Sequence, residues 1–324
     1  MHNKILVKVE DCSKYYPMKE GVLRKVKGCV KALDRVSLDI YRGETLGLVG
    51  ESGCGKSTLG KLILRLEEPT DGTIWFKGKN ISECNKQSMR SFRREMQMIF
   101  QDPYSSLDFR KTAGYSIEEP FLVHEKLLTK HERKQKVLRL MDEVGLLREH
   151  FDRYPHEFSG GQRQRIGIAR AIALNPELVI CDEPVSALDV SIQAQVINLL
   201  KDLQEKHSLT YLFISHDLAL VKHISDRITV MYLGQIVETA ARETIYTRPF
   251  HPYTQALISA SPLPTTKVRK DRIILAGDVP SSIDPPSGCY FHPRCPRSKG
   301  LCKNEKPGLR EVESNHFVRC FLYS

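Results

Sequence analysis

Apolar and polar residues along the chain switch repeatedly between two periods. KILVKVED, near the start, alternates apolar with polar positions, the pattern of a strand with one buried face. A basic stretch, MKEGVLRKVKGCVKA, follows and predicts a loop or hairpin insertion, and LDRVSLDIYRGE predicts a second strand turning at Arg42-Gly43. TLGLVG is a short unbroken apolar run ending in glycine, as a buried parallel strand requires. KSTLGKLILRL then repeats its apolar residues at helical spacing until EEPTDG stops it, and TIWFKGKNI predicts another strand. From about residue 88 to 174 the helical period dominates. KHERKQKVLRLMDEVGL and GGQRQRIGIARAIAL are amphipathic, the latter halted at Asn175-Pro176. ELVICDEP predicts a strand, VSIQAQVINLLKDLQEKH a helix, LTYLFISHD a strand, and RITVMYLGQIVET a hairpin turning at Gly234. Strand and helix in alternation predict an α/β fold whose sheet is largely parallel, with helices on both faces. The Pro-rich YTRPFHPYT introduces a tail with more Pro, Gly and Cys than regular elements carry.

Composition narrows the class. The 324 residues are 41% hydrophobic and 27% charged, which suits a soluble globular protein with a main domain and an appendage. The net charge of +10 fits nucleic acid, phosphate ligands or the anionic inner face of a membrane. No run of about 18 apolar residues occurs to span a bilayer, and MHNKILVKVEDCSKYY is too polar for a secretory signal, so the expected place is the cytoplasm. Of nine cysteines, Cys54 and Cys181 fall in segments that look catalytic and four crowd the tail. In a reducing compartment such a cluster points to metal rather than disulfides.

The chemistry starts at GESGCGKST, Gly50 to Thr58, which fits the phosphate-loop pattern G-x-x-x-x-G-K-[ST] between an apolar strand and a helix. Glycines let successive N–H groups turn inward without a Cβ clash, and these amides with the following helix end cradle anionic oxygens. Gly50, Ser52, Gly53, Cys54, Gly55, Lys56, Ser57 and Thr58 are therefore the candidate ATP contacts, with Lys56 charged toward the β- and γ-phosphates and the Ser57 hydroxyl on Mg²⁺. A metal-holding carboxylate is needed, and LVICDEP supplies Asp182 at the end of an apolar strand, with Glu183 beside it for general-base work or for polarising the attacking water. Ser159 precedes a helix that opens on Gly160 and Gly161, a second open helix end able to take an anion.

FSGGQRQRIGIARAI resembles the signature of the ATP-binding subunits of ABC transporters. SALD, Ser186 to Asp189, is similar to their D-loop, Gln101 in MIFQDP to their Q-loop and His216 in FISHD to their switch histidine, all in the family's order from about Val7 to Val237. The resemblance implies a P-loop NTPase (RecA-like) α/β core with an N-terminal antiparallel β subdomain, an inserted helical subdomain (about 88–174) and a small irregular Cys-rich C-terminal extension. It divides the chain into an ATP-binding domain, 1–246, and the extension, 247–324. It also implies that two subunits meet head to tail, with Ser159, Gly160, Gly161, Gln162 and Asp189 of one contacting ATP on the other. Glu183, His216 and Gln101 become the catalytic set, Ser57, Gln101 and Asp182 the Mg²⁺ ligands, and Tyr16 the adenine-stacking ring, with Tyr15 its competitor.

GETLGLVGESGCGKSTLGKLILRL, QMIFQDPYSSLD and RPFHPYTQALISASP resemble the oligopeptide and dipeptide import subgroup, and the basic insertion its second ATPase subunit; Phe109 departs from the proline usual after SLD. The implied assembly is a heterodimer with a paralogous ATPase, two transmembrane permease subunits and, indirectly, an extracytoplasmic peptide-binding protein, at the cytoplasmic face of the membrane. The alternative is a soluble ABC ATPase acting on nucleic acid or ribosomes. Cargo stays open among oligopeptides, dipeptides, glutathione and nickel complexes. Cys289, Cys295, Cys302 and Cys320 form C-x5-C-x6-C-x17-C, without the C-x2-C of most structural zinc sites. Such thiolates suit a [4Fe–4S] cluster, as the resemblance also implies; Zn²⁺, with His292 or His316 as further ligands, and unliganded thiols are the alternatives.

Overall fold

The computed structural model describes residues 4–20, 25–260 and 272–323. The chain forms two compact units, Met1–Glu83 with Ser215–Ser324, and Cys84–Ile214.

The first unit opens on a long hairpin, Ile5–Glu20 against Lys25–Tyr41. Its register sets Val7 opposite Ile40 and Cys12 opposite Val36, and all four are buried. The basic insertion forms the outer part of both arms, with Tyr16 opposite Val30 and Pro17 opposite Cys29; its tip, residues 21–24, lies outside the described residues. TIWFKGKNI departs from the single strand expected. Asp71–Phe76 turns at Lys77-Gly78 into Lys79–Asn80, because both turn residues have left-handed φ, 54° and 76°.

Thr45–Val49 is buried along its whole length and runs parallel to Arg227–Tyr232, with Gly47 opposite Ile228. Arg227–Tyr232 returns through Leu233-Gly234, at φ 42° and 74°, into the antiparallel Gln235–Ala241. The tail does not stay irregular. Arg310–Glu313 and His316–Val318 form a hairpin whose second strand pairs with Gln235–Ala241, Glu238 opposite Val318. Strands this short show no legible alternation and form because an existing sheet edge offers them partners.

Two carboxylates anchor that tail. Buried Glu238 accepts the N–H groups of Phe250 (2.7 Å) and His251 (2.9 Å) and lies 2.7 Å from His316 Nε2, while Phe250 stacks on the His316 ring at 4.3 Å. Asp34 accepts from Tyr15 (3.0 Å), Gln235 (3.0 Å), Tyr290 (2.7 Å) and Lys306 (3.1 Å). Burial works to raise the Asp34 carboxyl, but the bonds from Tyr290 and Lys306 overcome it and hold the pKa at about 2.

His251 gives the fold an acid limit. Burial lowers its imidazole to about 4, and its Nδ1 accepts the Tyr253 N–H at 3.1 Å, so the folded chain needs it neutral. The unfolded chain takes up that proton near pH 6.5. Stability is therefore complete above pH 6.5 and falls as the pH drops towards 4, by about 3 kcal/mol in total at 1.36 kcal/mol per unit of pKa shift. Urea unfolding of the wild type and of His251→Asn at pH 7 and pH 4.5 should show a gap between the two that narrows in acid. A constant gap would mean that the imidazole is not held neutral.

In the second unit, Met96–Ile99, Leu178–Asp182 and Thr210–Ser215, the last up to Ile214, run parallel, with Ile99 opposite Cys181 and Asp182 opposite Ile214. All of Leu178–Asp182 is buried, as its continuous apolar run requires. The helices start where side chains satisfy the first N–H groups: Asn85 caps Lys86–Glu95, Thr112 caps Ala113–His124, and Thr129 with Glu132 makes a capping box for Lys130–Glu143. Ile117, Phe121, Val137 and Met141 from these helices are buried.

Candidate functional site

In the first unit the chain leaves Thr45–Val49 at Gly50 and enters the helix Lys56–Ile63 through Gly55. A Cβ at Gly50 would stand 2.2 Å from the Met231 carbonyl oxygen, and one at Gly55, where φ is 105°, 2.3 Å from that of Ala32. Only glycine fits at these two corners. No side chain caps the helix and no acidic residue sits in its first turn, so its positive end is left for an anion. Lys56 is buried, and its Nζ donates to the carbonyls of Gly50 (2.9 Å) and Glu51 (3.1 Å). Cys54 turns its thiol into the core, where burial raises its pKa, and its N–H donates to Glu51 O at 3.3 Å. Ser52 and Gly53 lie exposed at the loop's rim.

Of the two tyrosines, Tyr15 donates to Asp34 and is bound up with the tail. Tyr16 lies beside the phosphate loop: its hydroxyl donates to Glu67 and neighbours Thr58, and Lys14 Nζ stands 5.0 Å from its ring centroid. His216 is exposed directly after Thr210–Ser215, and the next residue, Asp217, caps the helix Leu218–Ile224 through the Ala219 N–H at 2.7 Å.

In the second unit Asp182 ends its strand almost fully buried. Glu183 has a left-handed backbone, φ 46°, a strained conformation for a residue with a Cβ, which its N–H bond to Ile214 O (3.0 Å) helps to hold. Its Oε2 accepts from Gln101 Nε2 at 3.0 Å, so two residues 82 apart in sequence meet. Ser159 caps Gly160–Ile172 in a reciprocal box: Ser159 Oγ accepts the Gln162 N–H (3.3 Å) and Gln162 Oε1 accepts the Ser159 N–H (3.0 Å). Gly161 must be small, since a Cβ there would fall 2.6 Å from Ile192 Cγ2. Asp189 starts the helix Val190–His207 without capping it through its exposed carboxylate.

The four tail cysteines line one pocket with Phe291 and Leu322. Each thiol has a backbone N–H directed at it, from Phe291 for Cys289, Arg297 for Cys295, Lys299 for Cys302 (3.4 Å) and Leu322 for Cys320. Burial raises Cys289 to about 11 and also raises Cys295 and Cys320. Among the described residues, no three or more His, Cys, Asp or Glu side chains are grouped to hold a metal ion. His316, a candidate in the zinc case, is committed to Glu238 and does not line the pocket.

The ABC transporter family matches residues 33–186, and the oligopeptide/dipeptide transporter C-terminal region matches residues 237–302. The chain is 53% identical to the oligopeptide transport ATP-binding protein AppF of Bacillus subtilis, over 100% of this chain and 99% of the relative. It belongs to the ATP-binding proteins of the ABC oligopeptide/dipeptide transporter family. The dipeptide transport ATP-binding protein DppF of Escherichia coli is 49% identical to this ATP-binding protein, over 98% and 94% of the two chains. Among solved structures, the dimeric post-hydrolysis state of the ATP-binding cassette MJ0796, bound to ADP and Pi, matches with a TM-score of 0.66 at 28% identity, covering 73% of this chain and 98% of that one. The cassette fold expected from the motifs is thus present. In this ATP-binding protein, sequence reading missed the contacts that Tyr253 and Arg294 make with Glu51. HPYTQAL marked Tyr253 without a role, and nothing in the pattern marks Arg294.

Among the described residues no helix is long and apolar enough to cross a membrane.

Proposed function

We propose that the chain couples ATP hydrolysis to peptide uptake, working at the cytoplasmic face of the membrane on two permease subunits. The observation that carries this reading is one chain holding both a glycine-cornered loop with buried Lys56 and a Gln101–Glu183 pair beside buried Asp182. In this reading Gly50 and Ser52 to Thr58 cradle the phosphates and Tyr16 stacks on adenine. Ser57 hydroxyl, Gln101 amide oxygen and Asp182 carboxylate form a hard oxygen donor set that suits Mg²⁺, which when bound neutralises charge on the phosphate oxygens. Glu183, released from Gln101, accepts the proton of the attacking water, and His216 steadies the γ-phosphate.

A second ATPase, a paralogue, presents its counterparts of Ser159, Gly160, Gly161, Gln162 and Asp189 to the same nucleotide; the likeness to a dimeric cassette supports this arrangement. Around Gln101 the exposed rings of Phe100, Tyr104 and Phe109 offer the permeases an apolar surface. A binding protein outside the membrane delivers the peptide. No observation favours the nucleic-acid alternative.

The four thiols suit a [4Fe–4S] cluster better than zinc. One ion needs its ligands gathered tightly, whereas a cubane presents separated irons to thiolates that each keep an N–H partner. A cluster held by Cys289, Cys295, Cys302 and Cys320 would staple the tail. Anaerobic protein should then carry about four irons and four sulfides per chain; folded protein without iron excludes the cluster.

The coupling is tested in vesicles holding both permeases and both ATPases. Peptide-loaded binding protein should raise phosphate release several-fold, and DNA should leave it unchanged. Stimulation by DNA without permeases would reverse the assignment.

A further inference from the structure

Glu51, the second residue of the phosphate loop, has every hydrogen-bonding group of its backbone and side chain engaged. Its carbonyl receives Lys56 Nζ (3.1 Å) and the Cys54 N–H (3.3 Å). Its N–H donates to the Tyr253 hydroxyl at 3.0 Å. Its carboxylate takes both arms of Arg294, Nη1 at 2.8 Å and Nη2 at 3.1 Å. Tyr253 and Arg294 both come from the C-terminal extension, more than 200 residues away in sequence.

The two contacts share a rigid base. Tyr253 and Phe291 are buried; Tyr253 lies 4.7 Å from Tyr232 and Phe291 5.2 Å from it, ring centre to ring centre. Arg294 sits on turns that begin at this aromatic group, with its N–H donating to Phe291 O at 3.1 Å and the His292 N–H donating to Cys289 O at 2.9 Å. The Arg294 side chain is 9% exposed and that of Glu51 27%, so the pair is shielded from salt more than a surface pair is.

We propose that the C-terminal extension positions and neutralises the phosphate loop through Arg294 and Tyr253. The inference rests on the reading that this loop binds ATP. A carboxylate in a loop built for a triphosphate is a like charge in the wrong place. Arg294 cancels it and, by gripping it at two points, fixes the carbonyl that seats Lys56. Arg294 is a positioning residue that touches no phosphate.

Equilibrium binding of a fluorescent ATP analogue to the purified full chain tests this. Arg294→Gln should weaken binding about tenfold, the scale of one charged hydrogen-bonded contact, and Arg294→Lys, which keeps the charge but not the fork, should weaken it less. Adding Glu51→Gln to Arg294→Gln should restore much of the affinity, because the uncompensated charge is gone. Lys306→Ala, which loosens the same extension at Asp34, should bind as wild type. Loss without recovery in the double variant, or an equal loss in Lys306→Ala, would mean that Arg294 only stabilises the fold, and the proposal fails. Wild-type affinity in Arg294→Gln alongside weakened binding in Lys56→Ala overturns this inference alone. Wild-type affinity in Lys56→Ala overturns the reading of the loop and this inference with it. If Arg294→Gln does not fold, Arg294→Met with and without Glu51→Gln carries the same comparison, since methionine also leaves the Glu51 charge unpaired.

Discussion

Glu183→Gln should lower ATP turnover by about 10²- to 10⁴-fold, the usual size of a lost general base, while the chain goes on binding nucleotide. The amide matches the carboxylate in shape and can still meet Gln101, but it cannot take a proton from water. Phosphate release under saturating ATP, compared with equilibrium binding, separates the two effects; undiminished release would remove Glu183 from the mechanism. A second substitution at the same position adds a test that chemistry alone would not suggest. Glu183 occupies a left-handed backbone conformation at φ 46°, which costs a residue with a Cβ about 1–2 kcal/mol. Glu183→Gly should therefore abolish turnover and at the same time raise resistance to urea by about 1 kcal/mol. A gain in stability with a loss of activity is the signature of a site held strained for function.

How far the sequence reached depends on the distance over which each feature is encoded. TLGLV and LVICD are fully buried strands, and their unbroken apolar runs say so locally. Gly234 marked its hairpin because a left-handed turn needs such a residue within it. The phosphate loop was legible for the same reason, since a nine-residue segment carries its own steric logic. The resemblance favoured Tyr16 over Tyr15, but their partners, Thr58 and Asp34, come from other segments and leave no mark beside either tyrosine. His316–Val318 was hidden by its length, and it exists through its pairing with Gln235–Ala241. The contact of Arg294 with Glu51 spans 243 positions and leaves no period to read. Local physics shows in the sequence; contacts between distant segments show only once the chain has folded.

Ser159→Arg should leave nucleotide binding by the isolated chain intact and eliminate ATP-driven pairing of ATPase subunits, and with it most turnover. Ser159 caps its own helix, while Lys56 is held by the Gly50 and Glu51 carbonyls, so the substitution leaves the phosphate loop's own contacts in place. Its hydroxyl caps the Gln162 N–H, and losing that cap costs about 1 kcal/mol. The helix survives this, because Ile166, Ile168, Ala169 and Ile172 remain buried along its inner face. What changes is the exposed helix end, where a long cation replaces a hydroxyl and opposes the positive pole meant for an anion. Ser159→Thr keeps the cap and should keep pairing, so the pair of variants distinguishes a damaged helix from a blocked interface. Light scattering in the Glu183→Gln background, with ATP present and hydrolysis stalled, gives the readout. If the Arg variant still dimerises there, the serine-glycine helix end does not face a partner's nucleotide, and two subunits do not share the ATP in the manner proposed.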